Sequence, residues 1–290
     1  MTSQNRALGL ASAAAVIVIW SGFIVFSRAG VTTGLTAYDV TALRFMVAGL
    51  VSLPFALFAW PRHLPLRAQA MIAFSGPGMV YSLLMYLGLS QASAAYGGVF
   101  ANGGLPVFTM VIAWLIGRER PNRGQIAGAV VILAGAVLMA WRGMSLGGAN
   151  VAFGITLFLA ASATVAFYAV VLRRWRLTPW QILAVVNLPN ALIYLPLWYF
   201  ALPSTLDQAP QGAALFQALF QGLGPGVLAA VFFALSATHL GPTPTAGFSA
   251  AVPATATVLA IPVLHEVPLP LEWAGIAVVT LGLALIVRSR

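Results

Sequence analysis

The chain has 290 residues, of which 61% are hydrophobic and only 7% charged, whereas soluble domains carry roughly 25% charged residues. That composition, with a mean hydropathy of +0.95, excludes a water-soluble globular domain and implies a polytopic membrane protein. The net charge of +9 implies no nucleic-acid partner, because the arginines stand singly or in small clusters between apolar runs.

Ten apolar segments have the roughly 17–25 residues needed to cross the hydrocarbon as helix: 8–26, 40–60, 68–89, 92–116, 124–141, 151–172, 180–201, 215–238, 246–264 and 271–287. Barrel strands would be half as long and alternate polar with apolar residues, so the expected fold is all-α. The first segment reads as a span and not as a signal peptide, since it lacks an A-x-A site before a soluble domain.

In the first span stand Trp20 and Ser21, followed by Thr36-x-x-Asp39, the form of a capping box opening the second. Arg44 lies within that span and has two readings. It snorkels to the interface or pairs with Asp39, or else it faces a water-filled path. Gly76-Pro77-Gly78 in the third span predicts a kinked or interrupted helix, with Tyr81 and Met85 beyond the break. The fourth places Tyr96, Phe100, Asn102, Gly103, Gly104 and Pro106 at membrane depth. Small residues favour close packing, yet an amide in hydrocarbon needs a partner, so Asn102 is expected to meet either protein or ligand.

The stretch 97–139 returns, shifted by 147 residues, as 244–286: Pro106 falls on Pro253, Glu119 on Glu266, Gly128 on Gly275 and Gly135 on Gly282. The chain therefore reads as two five-span units, 1–147 and 148–290. Five is odd, so the second unit enters the membrane inverted, the usual plan of secondary transporters. In the second unit Phe167 takes the position of Trp20, with Tyr168 beside it. Asn187-x-Pro189-Asn190 kinks the seventh span, and Gln208, Gln211, Gln217 and Gln221 flank the start of the eighth, in a loop or interfacial turn. Gly224-Pro225-Gly226 repeats the break of the third span, and Phe248, Ser249 and Pro253 repeat that of the fourth. The glycine-bearing fifth and tenth spans read as scaffold.

With Arg6 placed inside, the alternate loops collect Arg62, Arg67, Arg118, Arg120, Arg123, Arg173, Arg174, Arg176, Arg288 and Arg290, against Arg28 and Arg142 outside. The positive-inside rule thus puts both termini in the cytoplasm. The five acids, Asp39, Glu119, Asp207, Glu266 and Glu272, fall at span edges or in loops, which disfavours a carboxylate proton relay or a bare-cation site. His239 and His265 read as loop or interfacial residues. With no cysteine there is no thiol chemistry. No zinc pair, P-loop or nucleophile elbow is present either, so no enzyme activity, metal or cofactor is expected.

The run Ala94-Ala95-Tyr96 … Leu105-Pro106-Val107-Phe108 … Trp114-Leu115-Ile116-Gly117-Arg118-Glu119-Arg120 … Gly128 to Gly135 resembles the repeated EamA-type unit of the drug/metabolite transporter superfamily, as do Ala42-Leu43-Arg44-Phe45 and the second copy's Glu266, Gly275 and Gly282. The resemblance spans essentially the whole chain. It implies ten transmembrane helices in an inverted five-plus-five repeat, with a cavity lined mainly by spans one, three, four, six, eight and nine. The chain departs in having Gly103-Gly104 before Leu105-Pro106, where many relatives carry an acid. Within the superfamily it is similar to the bacterial aromatic amino acid exporters, which implies an inner-membrane exporter of aromatic or apolar amino acids. A small-drug or lipid-linked translocator of the same fold, or a channel-like or structural protein, are the alternatives.

The cavity candidates are thus Trp20, Tyr81, Met85, Tyr96, Phe100, Asn102, Phe167, Tyr168, Asn187, Phe248 and Ser249. The hinge candidates are Gly76, Pro77, Gly78, Gly103, Gly104, Pro106, Gly224, Pro225, Gly226 and Pro253. The lipid bilayer and a small-molecule substrate are the expected partners, and the oligomeric state is left open.

Overall fold

The computed structural model describes residues 3–289, without the side chains at positions 3, 4, 142, 146, 242, 243 and 246. Arg290 and the side chain of Arg142, both used above for orientation, lie outside what is described. Ten helices are long and apolar enough to cross a membrane: α1 (Asn5–Thr32), α2 (Ala37–Ala59), α3 (Leu66–Gln91), α4 (Ala94–Gly117), α5 (Arg123–Ser145), α6 (Gly147–Leu172), α7 (Pro179–Ala201), α8 (Gln211–Leu240), α9 (Gly247–Leu264) and α10 (Pro270–Arg288).

Local chemistry sets the helix starts. Thr36 opens α2, Asn122 opens α5 and Thr178 opens α7, each in a reciprocal capping box with Asp39, Gln125 and Gln181; each box satisfies two backbone donors that the first turn would leave free. The stops are matched too. Helix α4 ends on Arg118 (φ 54°, ψ 23°) and α9 on His265 (φ 56°, ψ 24°), left-handed caps at repeat-equivalent positions. His265 is therefore a helix cap, and each cap is followed by an ion-paired glutamate, Glu119 or Glu266.

An even number of crossings brings both chain ends to one face, called here the terminal face. There Gly9 abuts Leu240 and Gly124 abuts Ser289, and Asn122 Nδ2 donates to the Ser289 carbonyl at 2.6 Å. The arginine-rich loops share this face, whereas the α1–α2, α3–α4 and α9–α10 connections lie on the opposite one.

The repeated glycines of α5 and α10 pack on each other. A Cβ on Gly128 would lie 2.8 Å from the Gly282 carbonyl, and one on Gly135 would lie 2.9 Å from that of Gly275. Backbones approach this closely in a bilayer only through small residues, which accounts for the scaffold role expected of both spans.

Candidate functional site

Proline at position i removes the hydrogen bond to the carbonyl at i−4, so each Gly/Pro motif frees a backbone group that something else must satisfy. In α3, Pro77 frees the carbonyl of Ala73, and helix is interrupted between Ser75 and Met79. Asn190 of α7, fully buried, closes this gap from both sides. Its Nδ2 donates to Ala73 O at 2.9 Å, and its Oδ1 accepts from Met79 N–H at 2.8 Å. A Cβ on Gly78 would lie 2.3 Å from Ala73 O and 2.8 Å from Asn190, so glycine is required there. The carbonyl of Pro77 itself is taken by Arg44 Nη2 at 3.1 Å.

One helical turn of α7 serves both units. Three residues before Asn190, Asn187 Nδ2 donates to Ser52 Oγ at 2.9 Å and to Gly226 O at 3.1 Å, within the Gly224–Leu228 stretch of α8, where the winding widens to π-helix. Helix α4 widens likewise over Gly97–Gly103, just before Pro106. There Gly98 lies 3.2 Å from Pro253 Cα, measured from where its Cβ would stand, so the breaks of α4 and α9 touch. The hinge candidates thus fall in or beside interruptions of four spans.

The expected cavity residues divide. Trp20 stacks with Phe233 at 5.9 Å between ring centres, and Tyr81 with Phe23 at 6.1 Å. Phe167 and Tyr168 pack on a cluster formed by Leu64, Ile72, Val171 and Val185, and Tyr168 lies against Gly76. Phe248, Ser249 and Asn102 are partly accessible. Among the described residues Asn102 makes no hydrogen bond, so its amide is free for a ligand. By contrast Met85, Phe100 and Asn187 are buried in protein at 0%, 4% and 2% exposure and face no cavity here, Asn187 because the break of α8 and Ser52 claim its amide. Tyr96, 4% exposed, stacks on Phe100 and donates to Glu272 at 2.7 Å; it belongs to the opposite face.

Other expectations need correction. Arg44 neither snorkels nor pairs with Asp39: it is 2% exposed and turns inward to the break of α3. Asp39, fully buried, accepts hydrogen bonds from Thr36 N, Trp198 Nε1 and Thr205 N, each at 3.0 Å, stapling the start of α2 to the α7–α8 loop. Gln217 and Gln221 lie in no loop or interfacial turn. Helix α8 begins four residues earlier than hydropathy suggests, and these amides, one turn apart, face α1. Gln221 Nε2 donates to Ser27 Oγ at 3.0 Å and Gln217 Nε2 to Phe26 O at 2.7 Å. Sequence reading missed this network, although the i, i+4 spacing of the two glutamines marks one helix face.

The two faces are closed unequally. One continuous core joins Phe23, Tyr86, Val99, Phe158, Ala256 and Val279 from six helices and runs from Ile286 near the terminal face to Ala92 and Ala94 at the opposite one. Arg28 Nε there donates to Glu266 at 2.8 Å, and the second carboxylate oxygen accepts from Ala94 N–H at 2.9 Å. A recess of about 400 Å³ outside this seal is lined by Arg28, Ser93, Tyr96, Glu266 and Glu272. At the terminal face the cluster of α3, α6 and α7 stands apart from that core. Its ion pair, Arg173 to Glu119 at 3.2 Å, is more than half exposed on both sides. A recess of about 500 Å³ beside it is lined by Pro106, Thr109, Met110, Glu119 and Arg173.

Known proteins agree with this architecture. A solved crystal structure, 19% identical, superposes with a TM-score of 0.66 over 98% of this chain and 96% of its own, which speaks to fold alone. The uncharacterized transporter YwfM of Bacillus subtilis is 27% identical over 249 residues, 84% of this chain and 82% of that protein. The probable terminal-alkyne amino-acid exporter of Streptantibioticus cattleyicolor is 28% identical over 282 residues, 94% and 91% of the two chains. The family model described as the EamA-like transporter family matches twice, over residues 7–141 and 152–288. With ten helices able to span a membrane, broken at repeat-related sites, and a family match over both halves, this chain belongs to the EamA-like transporter family.

Proposed function

We propose that the protein is a secondary transporter that exports aromatic or other apolar amino acids and related small metabolites across the bacterial inner membrane by alternating access, with both termini in the cytoplasm. The unequal closure of two repeat-related ends carries this reading. Where two inverted units pack about a central site, exchanging their conformations exchanges which face is sealed. Here the Arg28–Glu266 end is sealed and its counterpart, Arg173–Glu119, is loose. The units 1–147 and 148–290 then rock about the breaks of α3, α4, α8 and α9, with Asn190 and Asn187 of α7 bracing those of α3 and α8.

The substrate class rests on side-chain chemistry. Trp20 with Phe233, Tyr81 with Phe23, and Phe167 with Tyr168 supply aromatic surface for an apolar side chain, and Asn102 supplies an unclaimed amide for a polar end. The likeness to a probable amino-acid exporter supports the same class. Flux of labelled phenylalanine and threonine in proteoliposomes tests the reading: saturable, counterflow-competent transport is expected. Absence of protein-dependent flux for any amino acid overturns it, and competition by cationic dyes or lipid would favour a small-drug or lipid-linked substrate instead.

A further inference from the structure

Taking a guanidinium out of water requires an anion or a full set of acceptors. Arg44 has neither. It is 2% exposed and lies two turns into α2, beside the break of α3. Nη2 donates to the Pro77 carbonyl at 3.1 Å and the Tyr86 hydroxyl lies beside the guanidinium, while Nε and Nη1 are buried without a hydrogen bond. Among the described residues no carboxylate reaches it. The ion pairs there are Arg28–Glu266 and Arg173–Glu119, and Asp39 on the same helix is committed to Thr36, Trp198 and Thr205. The rings of Phe23 and Phe45, 5.6 and 5.7 Å from the guanidinium carbon, recover only part of the lost hydration. A second donor in α3, Ser82 Oγ, is likewise buried without a partner one turn beyond the break.

We propose that Arg44 is the anchor for the carboxylate of the transported molecule, a site that rests on the exporter reading above and adds the anionic end of the substrate to it. A charge left uncompensated in the membrane interior costs stability unless a ligand supplies the opposite sign, and a carboxylate accepts from charged N–H donors more strongly than a neutral carbonyl does. Phe23 lies within cation–π range of the guanidinium and stacks with partly accessible Tyr81. When that aromatic pair parts, the carboxylate reaches Nε and Nη1 while the substrate's ring takes its place between Phe23 and Tyr81.

Calorimetric binding to the purified full-length protein, with L-phenylalanine, L-phenylalaninamide and 3-phenylpropionate as probes, tests the site. The two acids are expected to bind wild type at least tenfold more tightly than the amide. Arg44→Gln, which keeps a donor for Pro77 O, should weaken both acids at least tenfold and leave the amide unchanged, with Arg44→Lys in between. Equal affinity for acid and amide in wild type, undiminished acid binding in Arg44→Gln, no binding of either acid, or Arg44-dependent binding of chloride alone would each overturn the proposal. If Arg44→Gln does not fold, the acid-against-amide comparison in wild type decides. Arg44-dependent binding of 3-phenylpropionate without amino-acid flux would sink the exporter reading and leave the anion site standing, whereas flux with equal acid and amide affinities would do the reverse.

Discussion

Arg28 and Glu266 stand 238 positions apart in sequence and are joined by a 2.8 Å hydrogen bond from Nε to Oε1, each side chain about one-fifth exposed. The repeat-related Glu119 faces Arg173 at the other end of the bundle, at 3.2 Å and in far greater contact with water. Water screens the second pair more than the first, so the two make unequal contributions to holding their ends shut.

Breaking the sealed pair should therefore open the opposite face. A partly buried charged hydrogen bond contributes about 1.5–3 kcal/mol, so Arg28→Ala is expected to shift the conformational ratio on the order of tenfold or more. The chain has no native cysteine, which allows a single Ser93→Cys reporter in the recess to read the change as faster thiol labelling. Glu119→Gln, acting on an exposed pair worth about 0–1 kcal/mol, should leave that rate nearly unaltered. Equal effects of the two substitutions would refute the gate.

Asn190→Leu should destabilise the protein. It leaves Ala73 O and Met79 N–H unpaired in a buried break, at about 1–3 kcal/mol for each group, and the thermal midpoint in detergent should fall clearly. Asn187→Leu should behave similarly through Ser52 and Gly226 O. Lost flux with an unchanged midpoint would instead restore Asn187 to the substrate site.

Asn102→Leu is the opposite case. With no hydrogen bond in the described structure, its amide can be removed at little cost to folding, yet phenylalanine flux is expected to fall at least tenfold. Near-normal flux in proteoliposomes would remove Asn102 from the site.

The α5–α10 crossing has no room for a methyl group. Gly282→Ala would set a Cβ 2.8 Å from Gly128 O and 2.7 Å from Ile132 Cγ1, and overpacking of this kind typically costs about 1–3 kcal/mol. Thermal unfolding checks this; an unchanged midpoint would mean that the two helices separate freely.

His265 caps α9 with φ 56°, a region that costs an ordinary residue about 1–2 kcal/mol and glycine nearly nothing. His265→Gly should therefore raise the thermal midpoint or leave it unchanged, whereas His265→Val should lower it. A fall with glycine would show that the imidazole does more than occupy the cap.

Much of the architecture was legible in one dimension. Apolar length marks a span whatever it packs against, so the ten helices fall where hydropathy puts them, within about six residues at each end. Proline's missing N–H is equally local, which is why Gly76-Pro77-Gly78 and Gly224-Pro225-Gly226 announce breaks in advance. The paired Glu-x-Pro at Glu119 and Glu266 announces the repeat for the same reason: a duplicated segment keeps its spacing.

What occupies a break, and which face of a helix meets a cavity, depends on residues far away in sequence. Asn102 and Asn187 are both amides at membrane depth beside prolines, yet one is free and the other is spent on Ser52 and Gly226. Met85, Phe100 and Trp20 all stand inside apolar spans, whereas packing buries the first two and leaves the third partly open beside Phe233. Arg44 shows the limit most clearly: the sequence leaves open a snorkelling or locally paired cation and one that faces a water-filled path, and only the placement of α3 against α2 brings it to the Pro77 carbonyl with Nε and Nη1 unbonded. Spans and breaks follow from short-range chemistry that the sequence determines by itself; the seal at Arg28 and Glu266, the clamps of Asn187 and Asn190, and the unpaired guanidinium of Arg44 were decided by tertiary structure, because each depends on groups that only packing brings within hydrogen-bond reach.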